Sequence, residues 1–294
     1  MKTKKKLKEL TLKDNFMFGA VMMEADNCRD FLELALGLSV DHVEVSKEKS
    51  IVYHPDFHGV RLDVYAKDEH NTRYNVEMQV ARQDELGKRD RYYHSQIDMD
   101  LLLSGSSYRD LPKVYVIFVC DFDPFGKKKY RYSFLRKCIE DERAELGDES
   151  ISVFLSTKGE NADEVSKELV KFLDFVKADL SESEEDFDDQ FVKKLQETIR
   201  RVKVNRELEE RYMIFQEMLR EEYDEGKADG KAEGKAEGKA EGKAEAVLYL
   251  LEEMGAISDE LRVRIISEKD LDLLKRWLKQ AVKSESIEEF IEKM

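Results

Sequence analysis

The sequence predicts an α/β fold with three layers, in which helices cover both faces of a mixed central β-sheet. Residues 114–120 (VYVIFVC) are almost entirely apolar, as is typical of a central strand that is covered on both faces. Residues 61–67 and 73–80 alternate between polar and apolar side chains with a period of two, which indicates strands. Apolar residues at helical spacing before and after these segments predict the helical layers.

The predicted elements of the first half can be placed in order. Residues 13–36 carry an apolar stripe and predict one helix, and a second helix is predicted over 84–104, before a turn through Gly105. The polar loop at 68–72 is long enough to close an antiparallel hairpin. The predicted strands lie at 43–53, 61–67, 73–80, 114–120, 130–137 and 150–157.

The second half is predicted to be helical. Asn161 with Glu164 resembles a capping box that opens a helix. After an acidic loop over 181–189, a long helix is predicted to run through about Glu222. Its apolar residues recur at helical spacing, which indicates packing on the core or on a partner helix: Phe191, Leu195, Ile199, Val202, Leu208, Tyr212, Phe215 and Leu219.

A four-residue repeat of glycine, lysine, alanine and an acid fills Gly226 to Ala246. Like charges are stacked four residues apart, and no lysine has an acid at the third or fourth position, so the usual ion-pair support for a helix is missing. Each interior glycine also costs about 0.5–1 kcal/mol relative to alanine. The repeat therefore predicts a frayed helix or a solvated, semi-flexible linker. The alternative is a glycine-lined face for close helix pairing, for example in a homodimer through the C-terminal helices.

These boundaries predict four parts of the chain. They are a core over 1–157, a helical extension over 158–225, the repeat over 226–246 and a small helical tail over 247–294.

The net charge of −15 is confined to the second part of the chain. Residues 1–135 hold 22 Lys plus Arg and 22 Asp plus Glu, whereas the rest holds 28 basic and 43 acidic residues. The neutral half has basic clusters at Lys2–Lys8, Lys88–Arg91 and Lys127–Arg131 that can contact phosphates. Each cluster is equally compatible with ordinary solvated charges, so the charge balance permits nucleic-acid binding without demonstrating it.

Composition argues against a membrane or secreted protein. No run approaches the roughly eighteen apolar residues of a membrane span, and no apolar segment follows the basic start of the chain as it would in a secretory signal. The three cysteines, Cys28, Cys120 and Cys138, show no metal-ligand spacing and indicate free thiols. We therefore expect a cytoplasmic protein with no membrane partner.

The segment from Arg61 to Gln79 carries the candidate chemistry. Pairing of its two strands can place Asp63 beside Glu77, and neither carboxylate has an obvious basic neighbour in the sequence. Adjacent carboxylates repel each other, so such a site favours a raised pKa or a divalent cation. Metal-dependent phosphodiesterases are built on this pattern.

Several segments in this order resemble the PD-(D/E)XK nuclease superfamily, in its branch of Rpn-type recombination-promoting nucleases and transposases. Together they span roughly residues 10–157, and the ordered set is more specific than the carboxylates alone. They are 12–22 (LKDNFMFGAVM), 61–69 (RLDVYAKDE), 74–79 (YNVEMQ), 88–111 (KRDRYYHSQIDMDLLLSGSSYRDL) and 113–126 (KVYVIFVCDFDPFG). One position departs from the family pattern, because Gln79 stands where the superfamily usually has a lysine.

The resemblance implies a restriction-endonuclease-like core and a Mg²⁺-dependent DNA endonuclease linked to recombination or mobile DNA. Asp63, Glu77 and the backbone carbonyl of Met78 would hold one or two Mg²⁺ ions, with Mn²⁺ as a substitute. Gln79 would orient a water or a phosphate oxygen through hydrogen bonds, since it has no charge and cannot act as a base.

Four further residues are candidates for a supporting role. Arg61 precedes Asp63 by two positions and would supply the missing positive charge. Asp14 would touch the site through water, and its alternative is the N-cap of the first helix. Tyr92 and Gln96, four residues apart, would face the site or DNA, and their alternative is packing of the helix that carries them.

A non-catalytic protein is the competing interpretation. In that case the chain is a degenerate nuclease fold that binds DNA or a protein partner through its helical extension. The substitution at Gln79 favours this alternative, whereas an unneutralised carboxylate pair favours the enzyme.

Overall fold

The computed structural model describes residues 5–46, 49–51, 60–82 and 84–294. Eight strands are present in this part of the chain: β1 (Val43–Ser46), β2 (Lys49–Ile51), β3 (Val60–Leu62), β4 (Val64–Asp68), β5 (Arg73–Gln79), β6 (Val114–Cys120), β7 (Arg131–Phe134) and β8 (Ser150–Ser156). Six of them form one sheet in the order β1-β4-β5-β6-β8-β7, and β2 and β3 form a separate two-stranded sheet.

The six-stranded sheet is mixed. β4 and β5 pair antiparallel with Val64 opposite Val76, which confirms the predicted hairpin. β5, β6 and β8 run parallel to one another, and β7 returns antiparallel to β8 at the edge. Every residue of β6 is buried, as its apolar sequence predicts.

Helices lie on both faces of this sheet: α1 (Asn15–Met22), α2 (Ala25–Leu36), α3 (Leu86–Leu101), α4 (Lys167–Lys177) and α5 (Gln190–Val204). On one face, α3 buries Tyr93 and Ile97 against Phe118 and Phe154 of the sheet. On the other, α2 borders a groove of about 250 Å³ beside Tyr115. The helices of that second layer also pack on one another, with Phe172 of α4 lying 5.4 Å from Phe31 and 5.8 Å from Phe191 between ring centroids. The predicted three-layer α/β fold class is confirmed.

The single helix predicted over 13–36 is wrong, because the chain breaks between α1 and α2. Glu24 adopts an extended conformation there (φ −75°, ψ 116°). The buried Asn27 amide donates to the carbonyl of Val21 at 3.1 Å, so a side chain takes up a carbonyl at the end of α1.

The single helix predicted from about 190 to 222 is also wrong. Asn205 is extended (φ −84°, ψ 115°) and separates α5 from α6 (Arg206–Met254). Its side chain accepts a hydrogen bond from the amide of Leu208 at 3.2 Å, as an N-cap does. The predicted cap at Asn161 is replaced by Ser166, which accepts from the amide of Leu169 at the start of α4.

Two compact units divide the chain, Met1–Tyr212 and Met213–Met294. In the second unit, α7 (Asp259–Ser267), α8 (Leu271–Lys283) and α9 (Ile287–Lys293) enclose a small core around Trp277 together with the end of α6. Ser258, Asp270 and Ser286 cap these three helices through their side chains.

The repeat is helical, since α6 runs through it for a total of 49 residues. Two of its alanines, Ala240 and Ala244, are buried and align at helical spacing with Val247 and Leu251 of the core. The core of the second unit therefore begins inside the repeat.

Candidate active site

Asp63 lies at a bend between β3 and β4, directly opposite Glu77 of β5. The Asp63 carboxylate accepts a hydrogen bond from the amide of Met78 at 3.1 Å, and the amide of Asp63 donates to Oε1 of Glu77 at 3.3 Å. The structure therefore brings the two predicted carboxylates together. The predicted uninterrupted strand over 61–67 is wrong at Asp63, where the chain passes from the small sheet to the large one.

The bend changes which side chains share a face. Leu62 and Tyr65 both enter the core under α3, although a regular alternation would have put them on opposite faces. Helix α1 approaches the bend closely, because a Cβ added at Gly19 would lie 3.7 Å from the carbonyl oxygen of Asp63. The carboxylate pair is thus fixed between two strands and a helix.

Arg89 of α3 neutralises part of the pair. Its guanidinium donates to Oε2 of Glu77 at 3.2 Å and to Oε1 of Gln79 at 3.0 Å. The hydroxyl of Tyr93, one helical turn further on, accepts from Nε of Arg89 at 2.7 Å and donates to Oε2 of Glu77 at 3.3 Å. These contacts join α3 to β5, and the sequence alone does not show which residues of two separate elements touch each other.

Burial dominates the electrostatics of Glu77. Its residue is only 1% exposed, and the loss of hydration together with the repulsion from Asp63 raises the pKa of Glu77 to about 8, although Arg89 opposes the shift. Burial and then the Glu77 carboxylate also raise the pKa of Tyr93. Glu77 therefore holds a proton more readily than an exposed glutamate does, and a bound cation would favour its release.

The donor set fits a hard divalent cation in chemistry. Two carboxylates, one buried and one half-buried, lie within hydrogen-bond contact of each other's strands, and Mg²⁺ prefers oxygen ligands of this type. Among the described residues, no group of three or more His, Cys, Asp or Glu side chains converges as metal ligands. A cation held here would therefore need ligands besides carboxylates, such as a backbone carbonyl or water.

Comparison with family models decides the relationship. The model described as PD-(D/E)XK nuclease family transposase matches residues 15–228, which is most of the chain. The chain belongs to this family. No curated protein and no solved structure matches the chain. As a member of the PD-(D/E)XK nuclease family, the protein has a nuclease-like or transposase-like function, DNA is the substrate that the family indicates, and nucleases of this superfamily typically use divalent metals.

Within this nuclease fold, the predicted supporting residues lie in different places. The carboxylate of Asp14 turns back to the amide of Thr11 at 2.8 Å and to Nζ of Lys5 at 2.9 Å, and it makes no side-chain cap of α1. Tyr92 packs partly buried against the core under α3, and Gln96 is buried. The backbone of Arg61 belongs to β3, whereas its side chain lies outside the described residues.

Gln79 does not face the site as an independent group. Its Nε2 donates to the carbonyl of Ala81 at 3.0 Å, while its Oε1 accepts from Arg89. Both ends of the amide are therefore engaged within the protein.

The nuclease fold has a second polar cluster on α3, away from the carboxylate pair. His94 lies between Ser150 and Ser152 of β8, with ring-nitrogen to hydroxyl distances of 3.0 and 3.1 Å, and Asp90 accepts from Ser152 at 2.7 Å. Burial lowers the pKa of His94 to about 4 and raises the pKa of Asp90 to about 6. These contacts hold α3 to β8.

Arg89 and Tyr93 were not predicted as site residues. They are four residues apart on the same predicted helix and therefore share a face, but the spacing does not show that this face meets Glu77. The pair Tyr92 and Gln96 has the same spacing, one position out of phase with Tyr93. Only the packing of α3 on the sheet distinguishes the two faces.

Of the ten described cations in the predicted basic clusters, five form ion pairs with acids. Lys128 contacts Glu160 at 2.8 Å, and Lys129 contacts Glu164. Arg82 and Arg91 are exposed near the start of α3, and neither has an ion pair within the described ranges. Residues 2–4 of the first cluster lie outside the described residues. Among the helices described, none combines the length and apolar character that a membrane crossing requires.

Proposed function

We propose that the protein is a Mg²⁺-dependent DNA endonuclease that hydrolyses phosphodiester bonds in recombination or in the movement of mobile DNA. The adjacent pair of Asp63 and Glu77 is the observation that carries this proposal. The Asp63 carboxylate accepts from the amide of Met78 at 3.1 Å, and the Glu77 carboxylate accepts from the amide of Asp63 at 3.3 Å. The protein would act in the cytoplasm, and Mn²⁺ would support activity as a substitute for Mg²⁺.

In this proposal Asp63, Glu77 and the backbone carbonyl of Met78 hold the cation. The chemistry that Mg²⁺ supplies when bound is stabilisation of charge on the scissile phosphate and activation of a water molecule. Glu77 must release its proton before it can serve as a ligand, and its burial makes that release unfavourable in the absence of a cation. Gln79 contributes hydrogen bonds, and Asp14, Arg61, Tyr92 and Gln96 remain candidates for support.

The test is incubation of supercoiled plasmid with the purified protein and Mg²⁺ or Mn²⁺. We expect nicking or linearisation by the wild type and loss of at least about 100-fold in rate for Asp63→Ala and for Glu77→Ala. The matched control is Asp141→Ala, which removes an exposed carboxylate paired with Arg143 and should cleave like the wild type.

A second function is favoured by one observation. Arg89 neutralises Glu77 without any metal, so the carboxylate pair does not by itself require an active enzyme. The alternative is a nuclease fold that binds DNA or a protein partner, including a second copy through the C-terminal helices. A folded wild type that binds DNA but cleaves it with neither Mg²⁺ nor Mn²⁺ would favour this alternative.

A further inference from the structure

The candidate motif consists of Asp63, Glu77 and Gln79, and its third residue, Gln79, has no positive charge. A phosphodiester carries negative charge that increases on its oxygens during attack, and a nearby cation stabilises it. Gln79 cannot supply that charge. Arg89 is the cation that the structure places against this position, at 3.0 Å from Oε1 of Gln79 and 3.2 Å from Oε2 of Glu77.

The orientation of the Gln79 amide is determined by its neighbours. The carbonyl oxygen of Ala81 can only accept a hydrogen bond, so the NH₂ group of Gln79 must face it. The amide oxygen is then directed at the guanidinium of Arg89, which can only donate. A lysine at position 79 would offer no acceptor and would repel Arg89. Glutamine at 79 and arginine at 89 are thus mutually compatible.

Tyr93 holds the same guanidinium from a second side. Its hydroxyl accepts from Nε at 2.7 Å, and the charged carbon of Arg89 lies 5.0 Å from the centre of its ring. Tyr93 itself is buried and packs on Phe118 with 6.1 Å between ring centroids. The guanidinium is therefore positioned by a rigid helix and a rigid ring, and 32% of the Arg89 side chain stays exposed.

We propose that Arg89 supplies to the scissile phosphate the positive charge that the motif lacks at Gln79, with Gln79 and Tyr93 as positioning residues. The inference rests on the proposed nuclease function. A guanidinium suits this role because its planar fork matches the geometry of phosphate oxygens. In this proposal the positive charge comes from Arg89 on α3, whereas the sequence hypothesis placed it at Arg61 on β3.

The position of Arg89 also accounts for its contact with Glu77. Without DNA and metal, the guanidinium has a carboxylate as its anionic partner. Once Glu77 serves as a metal ligand, Gln79 and Tyr93 keep Arg89 beside the motif, where a phosphate oxygen replaces the carboxylate as its partner.

Transplanting the charge tests this role in cleavage. Under single-turnover conditions at saturating DNA, we expect Arg89→Gln to lower the cleavage rate about 10²–10³-fold, the range for loss of one transition-state donor. Gln79→Lys combined with Arg89→Gln should restore the rate to within about tenfold of the wild type, because lysine then stands at the usual position. Arg143→Gln removes the same charge from an exposed guanidinium that pairs with Asp141 outside the site, and it should leave the saturated rate unchanged. Equal rates for Arg89→Gln and the wild type would overturn the proposal.

Binding without cleavage gives a second readout. With Ca²⁺ in place of Mg²⁺, the slope of log affinity against log salt should decrease by about 0.9 for Arg89→Gln, as for the loss of one phosphate contact. Arg89→Lys keeps the charge and should keep the slope. If Arg89→Gln does not fold, the uncharged Arg89→Met replaces it and should also lower the slope by about 0.9. An unchanged slope for the uncharged variant would show that Arg89 does not contact DNA. Absence of cleavage by the wild type contradicts the nuclease proposal alone, because the salt dependence still tests Arg89.

Discussion

At the scale of single residues, Glu77 stands out because its ionised form is unfavourable in the folded protein. It is buried beside another carboxylate, and its pKa is raised to about 8 from an ordinary value near 4.5. Such a group stabilises the folded protein below pH 4.5, and this contribution is lost as the pH rises through 8, because the folded state then gives up a proton that it binds more tightly than the unfolded state does. A bound cation would stabilise the ionised carboxylate and so replace that proton.

Replacing Glu77 with glutamine should therefore stabilise the protein in the absence of divalent metal. We expect the free energy of unfolding of Glu77→Gln at pH 8 to exceed that of the wild type, because the variant has no buried negative charge beside Asp63. The difference should shrink toward pH 5. Denaturant unfolding in a chelator over this pH range measures it.

The control for this experiment is Glu85→Gln, which removes an exposed carboxylate at the start of α3. Its unfolding free energy should follow the wild type across the range. A Glu77→Gln variant that is less stable than the wild type at pH 8 would show that the ion pair with Arg89 outweighs the burial of the carboxylate.

The sequence carried part of this site and not the rest. Asp63 and Glu77 could be placed side by side because a hairpin of alternating strands determines which residues lie opposite each other. Arg89 and Tyr93 could not be placed, because the rotation of α3 about its own axis is set by packing on Phe118 and Phe154. The bend at Asp63 was also invisible, because it depends on two strands joining different sheets.

At the scale of elements, the repeat in α6 is the feature most open to test. A methyl group added at Gly230, Gly234 or Gly238 would meet no atom within 4 Å, and these glycines are exposed. We expect Gly234→Ala to stabilise the helix by about 0.5–1 kcal/mol, because alanine loses less backbone entropy. Thermal unfolding followed by far-UV circular dichroism measures the change.

Two comparisons sharpen this experiment. Gly159→Ala should destabilise the protein by about 1–3 kcal/mol, because its methyl group would overlap the ring of Tyr130. Sedimentation of Gly234→Ala against the wild type tests the glycine-lined pairing proposed for a homodimer. Weaker association of the variant would mean that the glycine face is an interface and that the solvated interpretation of the repeat is wrong.

Helix boundaries show why elements were predicted better than their ends. The apolar stripe changes face between Val202 and Leu208, because six residues turn an α-helix by about 240°. This change of phase was a signal of the break at Asn205 that the prediction of one helix did not use. The breaks at Glu24 and Asn205 are held by single side-chain to backbone hydrogen bonds, which short-range patterns do not distinguish from ordinary helical positions.

At the scale of the whole molecule, the pairing of charges identifies the surface that we propose for contact with DNA. Arg82 is exposed just before α3 and Arg91 is exposed within it, whereas Lys128 and Lys129 are paired with acids. With Ca²⁺ present, we expect Arg82→Gln and Arg91→Gln each to lower the slope of log affinity against log salt by about 0.9. Lys128→Gln removes one charge from a cation that is already paired with Glu160 and should leave the slope unchanged. Equal effects of these three single changes would mean that DNA binding depends on net charge alone.

We propose that Asp63 and Glu77 form a site for a divalent cation. Calorimetric titration with Mn²⁺ tests this most directly. We expect the wild type to bind one or two ions, more tightly at pH 8 than at pH 6 because Glu77 must release its proton. Asp63→Asn and Glu77→Gln should each abolish that binding. Identical titrations for the wild type and both variants would contradict the claim, and the carboxylate pair would then be no metal site.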